Sequence, residues 1–350
     1  MLSSLIMMGL VLFLVAVLVV GIQEQENNHF FDKENTNALR GFWCLIVVLV
    51  HIPLLYQNRI QDMIGSFAYI GVTFFFMTSA YGLRLQMENN PEKVNTFWKN
   101  RLPKLLIPCA IVNLFSITLK MWTREEVQLI ELVKINDWVL WLLICYFFFW
   151  MSYKFMGGGR DYVVIALVTA FSLLVYWKKD YINGPTWCPE VMGFVWGILL
   201  YRIKNRFLGI LNDKWMMKSL LLCAIAGIAG IGYLKFKIIP FWGDYLLKII
   251  LGFLIISFML AINVKVSIGN RVSNYLGSIS FEVYLVHILA FNVVKKIKPD
   301  TSSGIFIFVS LILTVALASV IKKISTVITQ RIRRFITCGY KRRMCGERDE

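Results

Sequence analysis

Arg40 and His51 stand eleven residues apart in the run Ala-Leu-Arg-Gly-Phe-Trp-Cys-Leu-Ile-Val-Val-Leu-Val-His, two ionisable side chains in an otherwise apolar stretch. At about 100° per residue that spacing returns to within about 20° of one helix face, so both side chains are expected to look into one cavity. The rise of about 1.5 Å per residue separates them by about 16 Å, with Arg40 at a mouth and His51 near mid-depth. Imidazole can take a proton from a hydroxyl or carry an acyl group as a nucleophile. A guanidinium binds phosphate or carboxylate through paired hydrogen bonds. The pair therefore describes a site entered by an anionic molecule. A snorkelling Arg and a His bonded to a neighbouring helix would leave the same spacing, so the residues alone keep both readings open.

The elements that position this pair are membrane spans. The 350 residues are 58% hydrophobic and 17% charged, with a mean hydropathy of +0.65, which excludes a soluble globular enzyme. Apolar runs of spanning length fall near 3–22, 39–57, 64–87, 103–122, 136–153, 161–177, 187–202, 215–234, 244–262, 273–294 and 303–322. The expected fold is all-α, a polytopic bundle of about eleven helices. The first run lacks the basic leader and small-residue cleavage site of a signal peptide and reads as a retained helix. The net charge of +16 reports topology rather than nucleic acid, because Lys and Arg gather in cytoplasmic loops. Roughly twice as many fall on the side of the C-terminus as on the other, predicting an outside N-terminus and a cytoplasmic C-terminus.

Several other features have ordinary readings. Seven scattered cysteines without a C-x-x-C pair, and only His29, His51 and His287, predict neither a disulfide framework nor a metal site. Gly157-Gly158-Gly159-Arg160 lacks the rest of a phosphate loop and reads as a tight turn. Residues 23–37 form a polar linker, Phe97 and Trp98 suit the headgroup region, and the basic tail from Lys322 suits a membrane-surface helix. Trp177, Trp187 and Trp242 read as interfacial anchors. Ser280, Tyr284, His287 and Phe291 make one stripe of the tenth span, able to bind an acceptor or simply to pack; Glu282 lies off it. Glu190 is a candidate too, although a surface-facing carboxylate explains it as well.

Four blocks occur in order: Arg40 to His51, Gly-Val-Thr-Phe-Phe-Phe-Met-Thr-Ser-Ala-Tyr-Gly-Leu (71–83), Phe-Trp-Lys-Asn-Arg-Leu-Pro-Lys-Leu-Leu-Ile-Pro (97–108), and Leu-Gly-Ser-Ile-Ser-Phe-Glu-Val-Tyr-Leu-Val-His (276–287). Together they resemble the acyltransferase 3 family of membrane acyltransferases, over about residues 38–322. The resemblance implies a ten-helix core, preceded by an extra helix and linker (1–37) and followed by a basic cytoplasmic tail (323–350). It implies transfer of an acyl group, usually acetyl, from cytoplasmic acetyl-CoA to a hydroxyl of an envelope glycan, glycolipid or precursor, in a bacterial cytoplasmic membrane. His51 would then be the catalytic base or acyl carrier and Arg40 its partner, with Arg40, Arg101 and Lys104 holding acyl-CoA. The family's usual second Arg of that basic pair is Lys104 here, which lacks the bidentate fork. Ser79 and Tyr81, from the family's Ser-Gly-aromatic position, join Glu190, Ser280, Glu282, Tyr284 and His287 as candidates for lining the acceptor cavity. The partners implied are acyl-CoA, the acceptor and membrane lipid; acyl-CoA is a donor substrate, and no bound cofactor is expected. The competing reading is a transporter that moves a solute or lipid-linked sugar through the Arg40/His51 cavity without making a bond.

Overall fold

The computed structural model describes residues 2–25, 30–182 and 184–346, with side chains described between 5 and 332 within those ranges. His29, part of the linker and the end of the tail lie outside the described residues and side chains. The helices are α1 (Leu2–Val19), α2 (Lys33–Val50), α3 (Arg59–Gly65), α4 (Ala68–Asn89), α5 (Phe97–Trp122), α6 (Ile130–Val133) and α7 (Asp137–Phe155). They continue as α8 (Arg160–Lys178), α9 (Met192–Asn212), α10 (Trp215–Phe236), α11 (Lys248–Asn263), α12 (Arg271–Ser278), α13 (Ser280–Ile297) and α14 (Ser303–Gly346). Two short strands, β1 (Gln23–Glu24) and β2 (Val266–Ser267), pair antiparallel.

Every apolar run coincides with a helix, so the all-α reading stands. Among the described residues seven helices are long and apolar enough to cross a membrane, and α12 with α13, bent by 76°, makes an eighth. Of the other three runs, α1 is short over its described part. The other two carry charges: Lys33, Glu34 and Arg40 in α2, and Arg202, Lys204 and Arg206 in α9.

Three boundaries differ from the hydropathy reading. Asp32 caps α2, its carboxylate accepting from the Asn35 N–H at 2.9 Å, so the helix starts at Lys33, inside the expected linker. It ends at Val50 rather than near 57, because Pro53 lacks an N–H and biases the residue before it away from helix. His51 therefore caps the helix instead of lying within it. At the other terminus α14 runs unbroken through 323 to Gly346, so the tail begins as a continuation of the last span.

Close approaches fix the packing. A Cβ on Gly41 would stand 2.1 Å from the Ser273 carbonyl oxygen, and one on Gly277 would stand 1.9 Å from that of Asn37. Only glycine lets α2 and α12 lie backbone to backbone, which sets the bend before α13 against Arg40. Polar ties close the two ends of the bundle. At one end Asp161 accepts from Arg84 Nε at 3.1 Å, from Arg202 Nη1 at 3.0 Å and from the Tyr153 hydroxyl, joining α4, α7, α8 and α9. At the opposite end Lys179 donates to Asp244 at 2.7 Å, and Lys296 donates to Glu125 in the loop after α5. The bonded Lys296 ammonium holds the Glu125 carboxyl below its usual range.

Candidate active site

The site is assembled where α2, α5, α7 and α13 face one another, as two cavities rather than one. The first, of about 210 Å³, is a vestibule at the Arg101 end of the bundle, lined by Arg40, Arg101, Lys104, Ser79, Tyr146 and Ser280 among others. The Arg40 guanidinium lies 5.6 Å from the Phe75 ring centroid, and its buried Nε has no hydrogen-bond partner. Arg101 lies over the Tyr146 ring at 5.8 Å and donates from Nη2 to Gln86 Oε1 at 2.7 Å. Three cations and no carboxylate line this space among the described residues. Its chemistry is that of an anion site built from cation and aromatic surfaces.

The second cavity, of about 330 Å³, is lined by His51 and His287 and reaches toward Lys134, Asp137 and Trp187 at the opposite end. Two backbone contacts orient the histidines. His51 Nδ1 is 2.8 Å from the Val47 carbonyl oxygen, and His287 Nδ1 is 2.6 Å from that of Tyr284. A carbonyl only accepts, so each Nδ1 carries a hydrogen, and in the neutral ring the lone pair is then on Nε2. The rings lie 4.7 Å apart between centroids. His287 is 3% exposed and its Nε2 has no partner, whereas His51 is exposed to the cavity. The His51 ring thus faces the space with a second, buried imidazole behind it, an arrangement suited to accepting a proton from a hydroxyl.

The helical spacing of Arg40 and His51 predicts one shared cavity; the structure opens them into two, on either side of Tyr284. Of the other candidates, Ser79 lines the vestibule and accepts from the Tyr146 hydroxyl at 3.3 Å. Ser280 lines the vestibule, His287 the second cavity, and Tyr284 both. Tyr81, Glu282 and Glu190 line neither. Tyr81 packs its ring on Phe31 and Tyr201. Glu282 is buried and accepts from Lys322 at 3.1 Å. Glu190 is not a surface carboxylate; it is buried and bonded to Lys248 at 2.5 Å. Phe97 is buried against Tyr146 and Phe149 instead of lying among headgroups. Trp187 is a cavity wall, whereas Trp177 and Trp242 are exposed as anchors would be.

Asn113 and Ser116 of α5, which are not among the candidates from sequence, also line the His cavity. Two polar residues spaced i, i+3 within an apolar run were a visible signal. Asn113 Nδ2 donates to the carbonyl oxygens of Leu132 and Lys134 at 3.2 and 2.7 Å, which pins the loop before α7 over the cavity. Trp138 and Tyr146 gave no such signal, being aromatics in a helix full of them.

A bundle of apolar helices around a cationic vestibule and a pair of adjacent histidines defines a membrane protein with an enzyme-like centre. The family model for the acyltransferase domain matches residues 33–323, and the chain belongs to the acyltransferase 3 family of membrane acyltransferases. No curated protein and no solved structure matches it.

Proposed function

We propose that this protein is an O-acyltransferase that moves an acetyl group from acetyl-CoA to a hydroxyl of an envelope glycan, glycolipid or precursor. The observation that supports this most is the division of labour about Tyr284: three cations with no carboxylate among the described lining residues on one side, two neighbouring imidazoles on the other. The donor's phosphates are held by Arg101 and Lys104, with Arg40 deeper in the vestibule, and the Arg101 end faces the cytoplasm. The acceptor enters from the Lys134 end, which faces outward.

In direct transfer His51 Nε2 takes the acceptor hydroxyl proton as the oxygen attacks the thioester carbonyl. The C–S bond breaks, and the sulfur leaves with the proton from the imidazolium as free CoA. In the two-step variant Nε2 attacks the thioester itself and CoA leaves as the thiolate; the acceptor oxygen then displaces neutral imidazole from the acyl group, and the hydroxyl proton ends on the CoA sulfur. Both routes need Nε2 unprotonated, which the Nδ1 contact to Val47 favours.

Sidedness tests the reading. In proteoliposomes of defined orientation, labelled acetyl-CoA added at the Arg101 face should label an acceptor supplied at the Lys134 face, with CoA released on the donor side. Equal labelling from either face overturns the assignment of the vestibule. Solute flux at full rate without acyl-CoA, abolished in His51→Ala, replaces the enzyme by a transporter.

Donor affinity gives a second expectation. Replacing Arg101 and Lys104 together by Gln should raise the KM for acetyl-CoA by about 10- to 100-fold, from the loss of about two charge-assisted contacts, with a smaller effect on kcat. A kcat loss at unchanged KM would move the phosphates elsewhere.

A further inference from the structure

The vestibule and the His cavity share a single described lining residue, Tyr284. Its ring packs on the Trp138 indole at 4.8 Å between centroids and stands 5.7 Å from the His287 ring. Both aromatics are buried, Tyr284 at 7% exposure and Trp138 at 5%. The change of side is abrupt along each neighbouring helix. On α7 Asp137 lines the His cavity while Trp138 lines the vestibule, and on α5 Leu105 belongs to the vestibule and Cys109, one turn on, to the His cavity. An aromatic plug thus lies at the level where the cations end and the imidazoles begin. Trp138 Nε1, inside the plug, is a buried donor without a partner.

Resting on the acyltransferase reading above, we propose that Tyr284 and Trp138 form a gate, an apolar partition that the acyl-pantetheine arm of the donor must part to bring its thioester to His51. With the arm absent the rings meet and the two water-filled spaces stay separate, because a constriction lined by apolar rings does not hold a continuous water column. With the arm present its carbonyl oxygen supplies the acceptor that the Trp138 N–H lacks. The gate is needed because the competing nucleophile is water. Water adding to the thioester carbonyl breaks the same C–S bond and yields acetic acid and CoA, so an open passage would waste the donor and leak protons across the membrane.

The test uses the full-length protein in proteoliposomes loaded with a pH-sensitive dye, given a pH step without acyl-CoA. Wild type and Tyr284→Phe, which keeps the ring, should hold the gradient alike. Tyr284→Ala and Tyr284→Leu should leak at least about tenfold faster, as expected when an apolar constriction is widened. Supplied with acetyl-CoA and acceptor, both should release a larger share of the acetyl group as free acetate. The leucine variant keeps apolar volume in the core and decides the matter if the alanine variant aggregates. A monodisperse leucine variant with wild-type leak and wild-type partition between acetate and product overturns the gate. A raised leak in the variants, with no transfer by wild type from any acyl-CoA, keeps the partition and overturns the acyltransferase reading instead.

Discussion

Replacing His51 with alanine is expected to lower acyl transfer by about a thousandfold while leaving the protein folded, the loss typical of removing a general base. The ring is exposed to the cavity and makes one hydrogen bond, to the Val47 carbonyl oxygen of its own helix. Its removal leaves a space that water can fill, so the cost to stability is at most about 1 kcal/mol. Glutamine should do no better, since an amide keeps hydrogen bonding but accepts no proton near neutral pH. His287→Gln is the informative companion. If the neighbouring imidazole only orients the acceptor, KM for the acceptor rises and His51 still turns over. If the two rings pass the proton between them, kcat falls instead. The measurement is initial rate of label transfer in proteoliposomes, beside monodispersity in detergent. A His51→Ala rate within about tenfold of wild type would remove His51 from the chemistry.

How far this site is readable in the sequence depends on the kind of signal each residue leaves. Arg40 and His51 stand out because ionisable groups in an apolar run are costly unless they face a cavity. Helical periodicity then places them on one face. It cannot see that Tyr284, 233 positions beyond His51 in α13, comes between the spaces they open into. The partition is invisible for the same reason. Trp138 and Tyr146 lie in Trp-Val-Leu-Trp-Leu-Leu-Ile-Cys-Tyr-Phe-Phe-Phe-Trp, where nothing local marks one aromatic as wall and the next as lipid-facing. Hydropathy locates every long helix, though not the short α3 and α6, and overextends α2, because Ile52 to Tyr56 are as apolar as a span while Pro53 ends the helix. The polar Asp32-Lys33-Glu34-Asn35 start of that helix has the pattern of a cap and first turn, yet its polarity is equally that of a linker.

Glu190 shows the opposite failure, a residue whose meaning depends on a distant partner. Its carboxylate is buried, 2.5 Å from the Lys248 ammonium, which also lies 4.9 Å from the Tyr69 ring centroid. The other oxygen, Oε2, has no partner. Lys248→Met should therefore strand a carboxylate in the interior and destabilise the protein by about 3–5 kcal/mol, read as a lowered midpoint of thermal unfolding in detergent. Adding Glu190→Gln removes the stranded charge, so the double variant should recover most of the loss, because two neutral side chains need no ionic partner. Activity separates this structural role from the acceptor-binding role that the sequence also allowed. If Glu190 only ties α11 to the start of α9, the double variant transfers acyl groups at close to the wild-type rate once folded. Recovered stability with a KM for the acceptor raised by about tenfold or more would instead place the Glu190 carboxylate on the acceptor's path.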